Sequence, residues 1–155
     1  MLAPAGASWC ALYPTSRDVA DLADPFRGRV VAFFAELARR GVTPRITATR
    51  RPSERAWLMH WAWMIAKEDV DPATVPPHDP PIPIAWTVEG AAAMVAGYRL
   101  VHQPSLTSRH IDGLAIDVGS FDGWKGSNAQ LYDLGAQFGV HKLVSDPPHW
   151  SSDGR

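Results

Sequence analysis

His110 and Asp117 stand seven positions apart around the dipeptide Asp112-Gly113, and Asp146 and His149 flank Pro147 and Pro148. Two neutral imidazoles and one carboxylate are a donor set that suits zinc, and three protein ligands leave the fourth tetrahedral position for water. Water in that position loses a proton near neutral pH, and a neighbouring carboxylate can act as general base. His110, Asp117 and His149 are therefore assigned as ligands of one Zn²⁺ per chain, and Asp146 as the base.

Local sequence suggests how these groups meet. Asp-Gly between short apolar runs predicts a two-residue hairpin turn, because a type I′ turn requires positive φ at both central residues. In that hairpin His110 lies opposite Ala115 and Ser108 opposite Asp117. His110 and Asp117 then become diagonal neighbours on one face, about 7–8 Å apart. Pro147 and Pro148 lack amide donors and fix φ, so Asp146 to His149 is predicted to be extended or polyproline-like. Three residues per turn would then project Asp146 and His149 together.

The run from Ser108 to Asp117 resembles the S-x-H-x-x-G-x-A-x-D signature of the zinc D-Ala-D-Ala carboxypeptidases and L-alanyl-D-glutamate endopeptidases, the peptidase branch of the Hedgehog/DD-peptidase fold. Asp146-Pro147-Pro148-His149-Trp150 resembles that family's D-x-P-H-[WF] element, in which the Asp is the base and the His the last ligand. Ile46 to Arg51 is similar to the family's I-T-S-G-Y-R segment, whose Arg holds a substrate carboxylate or carbonyl. The resemblance covers residues 24 to 150 and gives Arg51 a catalytic, substrate-holding role. Ser108, opposite Asp117 in the expected hairpin, is expected to orient that ligand or to contact substrate, and Trp150 is expected to be a further substrate contact. Ala48, Arg50 and Ala56 depart from the family's usual Ser, Tyr and Gln. The ligand set is untouched by these departures, which fall in the substrate pocket.

The resemblance implies an enzyme, a zinc metallopeptidase that hydrolyses peptidoglycan stem peptides. An L-alanyl-D-glutamate endopeptidase of phage lysin type is the first expectation, and a D-Ala-D-Ala carboxypeptidase is the alternative. A non-catalytic cell-wall-binding component of a phage tail or injection particle is a further reading, since the Hedgehog branch of the fold need not be catalytic. A closed fourth coordination position would favour it.

Composition sets the outer bounds. At 155 residues the chain is expected to form one domain, residues 1–155, with an irregular arm over residues 1–14. Hydrophobic residues make up 46% and charged residues 20%, which is the balance of a folded chain. A net charge of -1 gives no reason to expect a nucleic-acid or anionic-membrane partner. The single cysteine, Cys10, excludes an internal disulfide. The first dozen residues lack a basic segment and a cleavage signal, so the protein is expected to be made in the cytoplasm. It would reach the cell wall by lysis, a holin or carriage on a particle.

The elements that must position these residues follow from pattern and caps. Asp24-Pro25 predicts the start of a helix reaching Arg40, with Phe26, Val30, Phe33, Phe34 and Leu37 on one face and Gly41 as its stop. Residues 42–49 alternate as a strand, residues 55–67 form an aromatic-rich helix, and Thr87 caps a helix to about Leu100. Asp71 to Pro83 holds six prolines in thirteen residues and is expected to be an irregular loop or a lid. A glycine-rich loop is expected over 119–126. Ser127 and Gln130 predict a capping box for a helix over 128–138, and 140–144 a last strand. The sum is an α+β fold, Hedgehog/DD-peptidase-like by resemblance, with helices flanking a small antiparallel sheet that carries the zinc site.

Overall fold

The computed structural model describes residues 1–155. Its strands are β1 Ala3–Pro4, β2 Thr43–Ala48, β3 Ile84–Ala85, β4 Ala115–Asp122, β5 His141–Lys142 and β6 His149–Ser151. Its helices are α1 Phe26–Arg39, α2 Ser53–Lys67, α3 Val88–Gly97 and α4 Asn128–Gln137. The chain is α+β, as expected, and resolves into two compact units, each built from two stretches of sequence.

The unit formed by residues 15–51 and 108–155 contains the antiparallel sheet β2-β4-β6-β5 with α1 and α4. Phe26, Val30, Phe33 and Leu37 recur at helical spacing along α1, and all are buried against Ile116 and Val118 of β4 and Trp150 of β6. Gly41, at φ 74°, ends the helix by letting Val42 donate its amide back to Leu37 O at 2.9 Å. The capping box at α4 is present: Ser127 Oγ accepts from Gln130 N at 3.1 Å, and Gln130 Oε1 accepts from Ser127 N at 2.9 Å. The expected glycine-rich loop begins later than predicted, because β4 continues through Gly119 to Asp122 and pairs Ser120, Phe121 and Asp122 with Arg45, Pro44 and Thr43.

Register decides which side chains share a face. Ile116 lies opposite Trp150, and Asp117 lies opposite His149. Successive side chains on a strand point to opposite faces, so Ile116 and Trp150 enter the core while Asp117 and His149 share the other face.

The unit formed by residues 1–14 and 52–107 packs α2 on α3. The N-terminal arm, expected irregular, is folded into this core. Ala3 and Pro4 pair in parallel with Ile84 and Ala85, and Trp9 is buried with its indole donating to Pro4 O at 3.0 Å. Burial of that indole ties the arm into the core, which composition alone did not reveal. The proline-rich stretch is tethered as well: the His78 ring lies between Ser53 Oγ at 3.1 Å and Pro80 O at 2.8 Å and makes a T-shaped contact with the Trp57 ring.

Candidate metal centre

Neither of the two local geometries predicted for the site is the one that forms. Residues 109–113 make a single helical turn in place of a hairpin. Leu114 N donates to Arg109 O at 2.7 Å and Gly113 N to His110 O at 3.3 Å, the paired bonds that end a helix on a left-handed residue. Gly113 supplies that residue at φ 73°, and a Cβ there would stand 2.9 Å from Ala23 N. Ser108 does not face Asp117. Its Oγ accepts from Ile111 N at 3.3 Å and so begins the turn, while Asp117 lies between Ala48 of β2 and His149 of β6. The turn is pinned to the end of β2 by the Arg51 amide, which donates to His110 O at 3.0 Å.

Asp146 to His149 is likewise a tight turn, not a polyproline segment, with the His149 amide donating to Asp146 O at 3.0 Å. Prolines occupy its two central positions; the fixed φ of Pro147 suits the first, while proline is ordinarily disfavoured at the second.

These elements bring His110, Asp117 and His149 together, with one donor atom from each lying within 4.8 Å of the others. The orientation of each imidazole is set from behind. His110 Nδ1 lies 2.6 Å from Thr49 O and its Nε2 lies 3.0 Å from Asp117 Oδ1. His149 reverses the roles, with Nε2 2.8 Å from Arg155 O and Nδ1 3.3 Å from the same Asp117 oxygen. A carbonyl oxygen can only accept, so the nitrogen facing it carries the proton and the other nitrogen of a neutral ring presents a lone pair. Both lone pairs are therefore aimed at Asp117 Oδ1. Thr49 is itself held, its amide donating to Ser16 O at 2.7 Å and its hydroxyl to Asp18 O at 2.9 Å.

Where the rings take up a second proton, the same two nitrogens reverse their role and donate to Asp117 instead. Burial by itself would raise the Asp117 carboxyl, yet hydrogen bonding and attraction from His110 and His149 hold it far below the usual carboxylate range. The Asp117 carboxylate in turn raises His149, against the effect of burial. Three electron-pair donors converge on one point, two of them tautomer-fixed by backbone carbonyls, which is the outer-shell arrangement that orients imidazole ligands. The group fits one divalent cation.

The remaining candidates occupy different places. Asp146 is exposed and outside the trio, close enough for its charge to bear on His149 and Lys142. Arg51 is half-buried beside the His110 turn. Trp150 corrects the sequence reading: it is only 1% exposed, on the opposite sheet face from His149, with its ring against Phe33, Phe121 and Tyr132. A side chain in that aromatic core does not meet a substrate. Thr49 and Arg155 were not foreseen, because a main-chain carbonyl leaves no signature in residue type.

No protein-family model matches the chain, and no curated protein matches it. Among solved structures it is similar to a mutant of VanY, a vancomycin-resistance D,D-pentapeptidase from a VanB-type resistance cassette, in complex with Zn(II). The two are 19% identical over 91% of this chain and 80% of that chain, with a TM-score of 0.44.

Proposed function

We propose that this chain is a zinc-dependent peptidase acting on peptidoglycan stem peptides, with His110, Asp117 and His149 as the zinc ligands. The observation that carries the reading is the pair of imidazoles whose outer nitrogens are tied to Thr49 O and Arg155 O, leaving both inner lone pairs facing one carboxylate oxygen. The substrate class rests on the three motifs that resemble the zinc carboxypeptidases and endopeptidases.

Zinc, when bound, supplies Lewis acidity for a peptide carbonyl and for water. The chain's own residues do the rest. Asp146, exposed beside the ligand trio, takes the proton of an attacking water and returns it to the leaving amine. Arg51, anchored to the His110 turn, pairs with a substrate carboxylate or carbonyl, where a planar guanidinium gives two-pronged recognition. Ser108 serves by shaping the turn that carries His110.

Digestion of purified peptidoglycan with and without a chelator tests the proposal. Chelator-sensitive release of new termini is expected, and Asp146→Asn should retain zinc while losing hydrolysis. New amino-terminal D-Glu identifies the L-alanyl-D-glutamate cut preferred from sequence; loss of terminal D-Ala alone identifies the carboxypeptidase. Stoichiometric zinc with no cleavage of either bond would replace the enzyme with a binding module.

A further inference from the structure

The segment from Leu143 to His149, the first residue of β6, carries both Asp146 and His149, and its main chain closes on itself in a ring. Leu143 N donates to His149 O at 3.0 Å, His149 N to Asp146 O at 3.0 Å, and Asp146 N to Leu143 O at 3.1 Å. The same three carbonyl oxygens face one further group, the ammonium of Lys142. Its Nζ lies 2.5 Å from Leu143 O, 2.7 Å from Asp146 O and 3.3 Å from His149 O. Each carbonyl has two lone pairs, and each gives one to an amide and one to the lysine. An ammonium has three N–H donors, so all three are spent on the loop and none is left for a substrate.

We propose that Lys142 is the positioning residue of the metal centre, its ammonium holding the 143–149 ring closed so that the His149 imidazole and the Asp146 carboxylate are presented together. This rests on the zinc-peptidase reading above. The stem of Lys142 is fixed where the ring needs it, because Lys142 pairs with Trp150 in the β5–β6 ladder and its Nζ stands 5.7 Å from the Tyr132 ring and 6.0 Å from that of Trp150. Burial works against this charge and lowers the lysine below its ordinary value, and attraction from the carboxylates of Asp146 and Asp117 offsets that only in part. Arginine does not substitute, since a planar guanidinium cannot direct three donors from a single nitrogen to three oxygens around it.

The test compares the intact protein with Lys142→Met, which keeps the length of the stem and removes the charge. Zinc affinity is read by competition with a chromophoric chelator, and the amides of Leu143, Asp146 and His149 by hydrogen exchange. The expected result is about tenfold weaker zinc binding, the scale of losing an outer-shell support, with faster exchange at those three amides and kcat reduced at unchanged KM. Lys142→Cys in a Cys10→Ser background, alkylated with 2-bromoethylamine to restore an ammonium at nearly the original reach, should recover all three readouts, and Lys142→Arg should not. The alkylated protein also serves if Lys142→Met does not fold, because regain of exchange protection and zinc binding on alkylation supports the role and failure to regain them overturns it. Wild-type zinc affinity and exchange protection in Lys142→Met would likewise overturn it. Absence of stoichiometric zinc from the unmodified protein would instead sink the reading of the centre, while amide exchange would still judge the lysine.

Discussion

Arg109 and Asp153 form a two-pronged ion pair, with Arg109 Nε 3.2 Å from both carboxylate oxygens of Asp153 and its Nη2 2.7 Å from Oδ2. One partner immediately precedes His110, and the other lies in the segment whose Arg155 carbonyl orients His149. Asp153 Oδ1 also accepts from Ser151 Oγ and Arg155 N, both at 3.3 Å. The two imidazole-bearing segments are thereby strapped together outside the ligand trio.

Exposed ion pairs contribute little to global stability, so the strap is expected to act on the metal. Asp153→Ala should leave thermal stability nearly unchanged while weakening zinc binding by about tenfold, the low end of outer-shell effects. A chelator competition paired with a melting curve reads both, and unchanged affinity would remove the strap from the centre. Arg109 holds the Asp153 carboxyl down to about 2. A depressed carboxylate contributes above its ordinary value of 3.8 and loses that contribution as pH falls toward its folded value, so the strap is intact across the neutral range.

The ligands themselves give a prediction with an internal control. His110→Ala and His149→Ala should each abolish stoichiometric zinc. His110→Ala should also destabilise the zinc-stripped protein by about 1–3 kcal/mol, because Thr49 O then loses the donor that satisfies it in a buried position. Metal analysis and urea denaturation separate the two effects. Full zinc retention in both variants would overturn the ligand set.

How much of this was readable beforehand depended on where the information resides. Ligand identity lies in residue type and spacing, and the sequence brought forward the same three side chains that the fold brings together. The turn that presents His110 was misread because Asp-Gly serves two conformations, a type I′ hairpin and a left-handed helix stop, and both require positive φ at the glycine. Long-range bonds choose between them: Ala23 N to Gly113 O at 2.9 Å and Arg51 N to His110 O at 3.0 Å tie the turn to distant chain. Pro147-Pro148 was ambiguous for the same reason, since the fixed φ of Pro147 fits both an extended segment and a turn. The α1 face, the α4 capping box and the Thr87 cap were legible because each is written in local side chains. Thr49 O, Arg155 O and the carbonyl ring around Lys142 were not, because any residue carries a carbonyl.

Trp150 sits next to a proposed ligand yet belongs to the core, and its substitution should show that. Trp150→Ala is expected to cost about 3–5 kcal/mol through the cavity left among Phe33, Phe121 and Tyr132. Trp150→Phe should be milder and should leave KM unchanged. Denaturant unfolding measures the first effect and steady-state kinetics the second. A selective rise in KM without loss of stability would return this indole to the substrate surface.

Protons and zinc compete for the same lone pairs, which fixes the sign of the last prediction. In the zinc-stripped protein His149 is raised above 6.5 by Asp117, so its contribution to stability is fully present below that value and is lost as pH rises through the folded-state value. Asp117 is depressed, so its contribution is present above 3.8 and survives well into acid. Zinc requires the neutral imidazole and the ionised carboxylate, and its stabilisation grows as protons leave. The stripped protein should therefore lose stability between about pH 5.5 and about pH 8, while the increment in Tm from added zinc increases over the same interval. Melting curves at both pH values, with zinc and with chelator, read the two slopes separately. A zinc increment that is flat with pH would mean that the ion is held by groups other than these imidazoles, since no histidine ligand that must first shed a proton can bind it equally well on both sides of its own titration.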